Sequence, residues 1–344
     1  MKEFQMSLYV KIFSLIAIST ITLVIWALIR HYAINNKEQP TRQNRIVSSG
    51  NVEIYTEHVG NISHPAILLI AGAMAPAKEW PDVFCQQLAA KHYFVIRYDH
   101  RDMGLSSAID YAHNPYTMTD LAHDAIAILD AYGIQKAHIV GHSMGGSIAQ
   151  LLALDYPDRV LSITLISSSV LTQAELSTQE KESFERTWQI MSKNKPSANF
   201  TESLEGFLHS YEYLHGTIPM DKEMATTYIR AMYKDTRPEH LGWFVRYSAG
   251  TDPLHNHVKA QQNIQDRTQD LHAITVPVLV IHGEHDCLSF ARTVEEYCVK
   301  KIPQAQLHII PGMGHMILNN ELWIKIKDLI IDTLKKNSLN QGAR

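Results

Sequence analysis

The sequence predicts an α/β fold in which a mostly parallel, doubly wound sheet carries an inserted helical cap and is preceded by one N-terminal transmembrane helix. Three observations predict it. Short apolar runs, typical of strands buried on both faces of a parallel sheet, alternate with segments of helical period. From about residue 171 to 272 only the helical period remains. Finally, the apolar run Ile12–Ile29 contains no charged residue.

The N-terminal run predicts an uncleaved, single-pass membrane anchor. As a helix it would be about 27 Å long at 1.5 Å per residue, close to the thickness of a bilayer core. A cleaved signal peptide is the alternative, because Lys2 and Lys11 precede the run, but no A-x-A-like cleavage site follows it. Residues 1–44 are therefore predicted as an anchor (12–29) and a polar tether. Basic residues on both sides of the run leave open which side of the membrane carries the rest of the chain.

The overall composition argues against nucleic-acid binding and against a cysteine-based framework. Lys and Arg total 31 against 35 Asp and Glu, the formal net charge is -4, and no basic run occurs. The three cysteines, Cys85, Cys287 and Cys298, are scattered, so their spacing matches neither a disulfide scaffold nor a zinc site. These features are typical of an ordinary globular domain.

Residues 45–336 are predicted to form the main domain. A hairpin at Gly50 joins its first two strands. Further strands and helices then alternate, which is the pattern of right-handed crossovers in a parallel sheet. The strands are predicted at 45–48, 52–58, 66–70, 93–98, 138–140, 161–166, 278–281 and 306–310, with helices at 80–90, 119–132, 147–154 and 322–334. The cap is predicted at about 171–272, and residues 337–344 are predicted to be a polar tail.

A short serine motif at the end of the central strand is the strongest chemical signal in the sequence. Ser143 has glycine two residues away on each side, Gly141 and Gly145, which fits a tight strand-to-helix turn. Such a turn raises the serine hydroxyl above the sheet edge and leaves the amide of Met144 free at a helix N-terminus, where it favours a developing oxyanion. We expect His142 to be a packed residue that helps to position this elbow, and not a second base.

A nucleophilic serine needs a base, and the base needs a partner that fixes its tautomer. The sequence offers both after predicted strands. Asp286 follows the strand at 278–281, and His315 lies in a glycine-bounded loop after the last strand. Glu284 is a rival for Asp286, since it lies nearer the strand end. The strand before the cap ends in three serines and supplies no carboxylate.

The histidine-rich stretch 282–286 also allows a metal-site interpretation. It spans a strand end and its turn, and the serine hypothesis already accounts for Asp286. We therefore expect no metal and no cofactor.

Together these motifs resemble the α/β-hydrolase superfamily over roughly residues 45–336. More narrowly, the sequence is similar to serine esterases related to aclacinomycin methylesterase. The matching motifs are Trp80-Pro81-Asp82, Arg97-Tyr98-Asp99-His100-Arg101-Asp102-Met103-Gly104-Leu105-Ser106, Gly141-His142-Ser143-Met144-Gly145-Gly146 and Gly312-Met313-Gly314-His315.

The resemblance implies a role for five residues. They are Ser143 as nucleophile, His315 as general base, Asp286 as the residue that orients the base, and Ala73 and Met144 as the backbone donors of an oxyanion hole. Many relatives carry His-Gly at the first oxyanion turn, where this sequence has Ala71-Gly72. The side-chain support of that turn is therefore expected to differ.

We expect hydrolysis of a small-molecule carboxylic ester through an acyl-enzyme, with a lipidic substrate suggested by the predicted anchor. Enzymes that remove halide or open epoxides on this fold need a carboxylate at the elbow, and Ser143 argues against both. Hydrolysis of a carbon–carbon or amide bond and perhydrolysis use the same three side chains and remain alternatives. A ligand receptor built on a hydrolase body is a further alternative.

Overall fold

The structure is a computed structural model that describes residues 42–168, 170–172, 174–193, 200–234 and 254–342. The predicted anchor helix, most of the predicted tether and part of the predicted cap lie outside these residues. Within the described ranges, no helix combines the length and apolar character needed to cross a membrane. The prediction of a transmembrane helix at 12–29 therefore stays a prediction.

One sheet organises the described chain. Its strands are β1 (Gln43–Ser49), β2 (Val52–Val59), β3 (Ala66–Ile70), β4 (Phe94–Tyr98), β5 (Ala137–His142), β6 (Val160–Ile166), β7 (Val278–Gly283) and β8 (Gln306–Ile310). In space their order is β1-β2-β4-β3-β5-β6-β7-β8. The pairs β1–β2 and β2–β4 are antiparallel, and the remaining pairs are parallel.

Helices in the described ranges connect these strands and cover the sheet. They are α1 (Asp82–Ala89), α2 (Met118–Ala131), α3 (Met144–Asp155), α4 (Thr178–Lys193), α5 (Phe200–Leu214), α6 (Lys222–Lys234), α7 (Leu254–Gln262), α8 (Ala291–Val294) and α9 (Asn320–Gly342). Helix α9 extends beyond residue 336, where the sequence predicted a polar tail. Buried residues that include Trp323 and Ile330 fix the first turns of the helix against the core. The helix then continues because each added residue forms one more backbone hydrogen bond.

The central strands are buried on both faces, as their continuous apolar runs predict. Every residue of β3, β4, β5 and β7 is buried. In β3, Leu68 and Ile70 face the core that contains α2 and α3, whereas Ile67 and Leu69 face the core that contains α1 and α9. This period of two, with apolar residues on both faces, places helices on each side of the sheet.

The direction of the strand order reverses between β3 and β5. From β3 the chain moves to β4 on one side and then returns to β5 on the other. Ile70 at the end of β3 lies opposite Gly141 of β5, so the turns that follow these two strands lie next to each other. Ligands of open α/β sheets bind at such a reversal, beyond the carboxyl ends of the strands.

Helices α4–α7 lie between β6 and β7, in the segment predicted as a cap. Side chains of α5 and α6, among them Tyr211 and Tyr228, form a separate apolar cluster. Met316 and Leu318, from the loop that follows β8, belong to the same cluster. The helical segment therefore packs directly on the loop that carries His315.

Helix α2 begins with a capping box, which gives a test of local stability. The Asp120 amide donates to Thr117 Oγ1 at 3.3 Å, and the Thr117 amide donates to the Asp120 carboxylate at 2.7 Å. We predict that Thr117→Ala lowers the free energy of unfolding by about 1 kcal/mol, because the amide of Asp120 loses its acceptor. Urea denaturation measures the change. Thr117→Ser keeps the hydroxyl and serves as the control, and equal stability of the alanine variant and wild type would contradict the assignment.

Candidate active site

Ser143 occupies a strained turn between β5 and α3. Its φ and ψ are 51° and -118°, a combination that non-glycine residues rarely adopt. A Cβ at Gly141 would lie 2.1 Å from the carbonyl oxygen of Gly145, and a Cβ at Gly145 would lie 2.2 Å from the carbonyl oxygen of Ile70. Glycine is therefore required at both places for the backbone to pass this closely.

The structure brings Ser143, His315 and Asp286 into one hydrogen-bonded line. His315 Nε2 lies 3.1 Å from Ser143 Oγ, and His315 Nδ1 lies 3.0 and 2.9 Å from the two carboxylate oxygens of Asp286. Asp286 Oδ1 also accepts from the amides of Leu288 and Ser289, at 3.0 and 2.8 Å. With Nδ1 donating to the carboxylate, Nε2 is left free to accept a proton from the serine hydroxyl.

Asp286 is buried and charged. Burial alone would raise the pKa of its carboxyl, but the adjacent imidazoles of His315 and His282 and the amide of Ser289 lower that pKa to about 2. The carboxylate is therefore ionised throughout the neutral range and is able to stabilise a cationic His315.

Glu284, the alternative acid, lies elsewhere. Its side chain is 55% exposed, and its carboxylate accepts the amide of Gly312 at 3.1 Å. It thus supports the loop before His315 but does not contact the imidazole. After β6, Ser168 supplies no carboxylate: its hydroxyl accepts from Gln150 Nε2 at 3.4 Å, and its carbonyl oxygen accepts from the hydroxyl of Ser289.

The turn after β3 passes directly against the serine. A Cβ at Gly72 would lie 3.3 Å from Ser143 Cβ. Ala73 follows, and the amides on both sides of it are occupied: that of Gly72 donates to Glu79 Oε2 at 2.7 Å, and that of Met74 donates to His257 Nδ1 at 3.0 Å. The turn is thereby fixed from both ends around Ala73.

Met144 supplies the second predicted backbone donor. It is the first residue of α3 and its side chain is fully buried. The amide groups of a first helical turn have no carbonyl partner within the helix and carry its partial positive charge. The structure therefore places both predicted oxyanion donors in turns that adjoin Ser143.

Three side chains to which the sequence assigned no role at the site hold the first oxyanion turn. Besides Glu79 and His257, they include His100, whose Nε2 donates to the carbonyl oxygen of Ala71 at 3.0 Å. Burial lowers the pKa of His257 to about 4, so its ring is neutral and Nδ1 is available as an acceptor. The sequence has Ala-Gly where many relatives have His-Gly, which indicated that other side chains support this turn. No local pattern, however, identifies a histidine on α7 as one of them.

His142 lies beside Ser143 and has a partner at each ring nitrogen. Its Nδ1 is 3.0 Å from Glu79 Oε1, and its Nε2 is 3.0 Å from the carbonyl oxygen of His315. Burial lowers the pKa of the imidazole, but the Glu79 carboxylate raises it, and the net direction is upward. His142 thus contacts the backbone of His315 and not the reacting serine hydroxyl.

The loop of His315 pairs with the end of α5 through its backbone. The amide of His315 donates to the carbonyl oxygen of Leu214 at 2.7 Å, and the amide of Thr217 donates to the carbonyl oxygen of Gly312 at 2.8 Å. Between them, Gly216 is paired with Met313. A Cβ at Gly216 would lie 2.5 Å from the Gly312 oxygen, so only glycine permits this approach.

The histidine-rich stretch 282–286 has a structural explanation. His282 is buried, and its Nε2 donates to the carbonyl oxygen of Ser289 at 2.5 Å. Among the residues that the structure describes, no group of three or more metal-ligating side chains converges.

Comparison with known proteins adds to this geometry. A sequence profile of the alpha/beta hydrolase fold family matches residues 65–321. The chain belongs to the alpha/beta hydrolase family. This confirms the predicted family and the mostly parallel sheet.

Relatives cover most of the chain. It is 33% identical over 289 residues to the rhodomycin D methylesterase DauP of Streptomyces sp. (strain C5), covering 79% of this chain and 92% of that protein. It is 26% identical over 275 residues to a putative carbamate hydrolase RutD of Caulobacter sp. (strain K31), covering 78% and 91%. A solved thermophilic esterase from Thermogutta terrifontis superposes with a TM-score of 0.62 at 20% identity, over 86% of this chain and 99% of that one.

The lowered pKa of Asp286 predicts a specific loss of stability in acid. A carboxyl whose pKa falls from 3.8 to about 2 on folding stabilises the protein above its unfolded pKa, and this contribution is lost as the pH falls toward 2. Between about pH 5 and about pH 2, wild type should lose on the order of 2 kcal/mol more unfolding free energy than Asp286→Asn. Urea titrations at several pH values measure both proteins, and parallel curves would contradict the shift.

Proposed function

We propose that the protein is a serine hydrolase that cleaves a carboxylic ester through an acyl-enzyme intermediate. The observation that carries the proposal is the line of contacts from Asp286 through His315 to Ser143, with the serine on a strained turn at the sheet edge. A buried carboxylate and an oriented imidazole activate a serine nucleophile, and the hydroxyl of Ser143 is partly buried beside them.

In the proposed reaction, His315 Nε2 takes the proton of Ser143 as Oγ attacks the ester carbonyl carbon. The negative charge that forms on the carbonyl oxygen is accepted by the amides of Ala73 and Met144. The tetrahedral intermediate then collapses, the bond to the alcohol breaks, and His315 returns its proton to the departing oxygen. Water, deprotonated by the same imidazole, attacks the acyl group and releases the acid and the free serine. Asp286 holds Nδ1–H and stabilises the imidazolium in both halves.

The choice of an ester over other acyl bonds follows the relatives. Two rhodomycin D methylesterases are 33% and 32% identical to this chain, whereas the putative carbamate hydrolase compared over a similar length is 26% identical. The helical insertion beside the site is apolar: the cluster formed by α5 and α6 also includes partly buried Phe207 of α5 and Met191 of α4, and it reaches Leu288, two residues after Asp286. An apolar surface next to the site suits an apolar acyl or alcohol group.

A graded panel of acyl esters, from acetyl to long-chain, tests this function on the full-length protein in detergent. We expect hydrolysis, and we expect Ser143→Ala to lower kcat by about six orders of magnitude, by analogy with other serine hydrolases. The folded state of the variant is checked by circular dichroism. Turnover of the alanine variant near the wild-type rate would exclude Ser143 as the nucleophile, and cleavage of carbamates but not esters would exclude the proposed bond.

We also propose that the run at residues 12–29 anchors the enzyme in a membrane and that its substrate is lipidic. The support is the uncharged apolar sequence alone. We predict that the full-length protein stays in the membrane pellet after alkaline carbonate extraction, because a bilayer-spanning helix is not released by removing surface charge. Replacement of Ile16 and Val24 by Arg should move it to the supernatant. Release of wild type by carbonate would contradict the anchor, and activity on short soluble esters alone would contradict the lipidic substrate.

A further inference from the structure

One buried pair, Glu79 and His142, connects the two parts of the candidate site that must be aligned with Ser143. Glu79 closes the short 3-10 turn Ala77–Glu79, and His142 is the last residue of β5. We propose that Glu79 and His142 form an ion pair that positions both the first oxyanion turn and the general base His315. The proposal rests on the serine-hydrolase function above.

The contacts form an unbroken path. The Gly72 amide donates to Glu79 Oε2 at 2.7 Å, Glu79 Oε1 is 3.0 Å from His142 Nδ1, and His142 Nε2 is 3.0 Å from the carbonyl oxygen of His315. One end of the path is the turn of the first oxyanion donor, and the other is the main chain of the base. Neither side chain reaches the reacting atoms, so both are positioning residues.

The hydrogen-bond partners fix the protonation of the pair. The His315 carbonyl oxygen can only accept, so Nε2 of His142 must carry a proton. Nδ1 faces a carboxylate oxygen, and this contact needs one more proton between the two groups. Burial lowers the pKa of His142, but the Glu79 carboxylate outweighs this effect, and the net upward direction agrees with a proton on the imidazole. With that proton on Nδ1, His142 is a cation opposite the Glu79 carboxylate.

The surroundings of the pair make this contact strong. The side chains of His142 and Glu79 are 3% and 9% exposed. The small cavity that they line is also lined by Tyr228 of α6, by the loop Met316–Leu318 and by Trp323 of α9. Charges in such apolar surroundings interact more strongly than in water, and the loss of one partner leaves the other buried and unpaired.

The expected consequence is a change in rate rather than in binding. Displacement of a reacting group by about 1 Å can lower a rate by about 10²-fold. We expect Glu79→Ala and His142→Ala each to lower kcat by about 100-fold and to change KM by less than about threefold. The reason is that the path ends at the oxyanion turn and at His315, which act on the transition state rather than on the bound substrate. The kcat of the double variant should lie within about threefold of the kcat of the less active single variant, because both substitutions interrupt the same path.

Two further variants separate positioning from general loss of structure. Glu79→Gln can accept the Gly72 amide and donate to a neutral His142, so we expect it to recover kcat to within about tenfold of wild type. His138 is the matched control, because it is also a buried histidine of β5 but bonds Ser162 at the opposite end of the strand, at 2.8 Å. His138→Ala should lower the melting temperature and leave kcat unchanged.

Two measurements on the full-length proteins decide between the outcomes. The first is kcat for ester hydrolysis, with the concentration of active sites taken from the burst of alcohol release, and the second is the melting temperature. An alanine variant at Glu79 that melts earlier but keeps wild-type kcat would overturn the proposal. So would Glu79→Gln as impaired as Glu79→Ala, since the amide preserves both hydrogen bonds.

A readout independent of turnover separates this proposal from the proposed function. NMR of protein labelled with ¹⁵N-histidine should show two protonated ring nitrogens on His142 at neutral pH, and only one in Glu79→Ala. A single protonated nitrogen in wild type would overturn the ion pair even if ester hydrolysis is found. Two protonated nitrogens without any ester hydrolysis would uphold the pair and reject the proposed reaction.

Discussion

The candidate site depends on the parallel pairing of β3 with β5. Their register places Ile70 opposite Gly141, so the chain leaves both strands at the same level of the sheet edge. The glycines of the elbow then allow α3 to start almost in contact with the carbonyl oxygens at the end of β3. A Cβ at Gly145 would lie only 2.2 Å from the carbonyl oxygen of Ile70. Ser143 and the turn of Ala73 adjoin because the backbones are this close. A shift of one residue in this register would separate them.

The sequence predicted those parts whose physical cause is local. Continuous apolar runs identified β3 and β7, because strands buried on both faces need apolar residues at every position. Glycine spacing identified Ser143, because only glycine tolerates the close approach of two backbones. Chain order and strand ends identified Asp286 and His315, which the structure places within hydrogen-bond distance of each other.

The parts that the sequence did not predict rest on contacts between distant residues. His257 bonds the amide of Met74 across 183 positions, and His142 bonds Glu79 across 63. The sequence spacing of a buried histidine in a helix is the same whether its ring bonds a main-chain amide or only packs in the core. Helix α9 was predicted to be shorter because the residues after 336 are polar. In the structure the helix continues to Gly342, because its apolar stripe packs against the core and holds the earlier turns in place.

The backbone pairing between α5 and the loop of His315 has a consequence for how this enzyme can be changed. Leu214 and Thr217 supply partners to the main chain on either side of Met313, and Gly216 fits where no side chain would. The helical insertion thus supports the backbone of the loop that carries His315. A chimera that imports the insertion of a relative would have to retain this turn, because without it the loop of His315 loses its backbone partners.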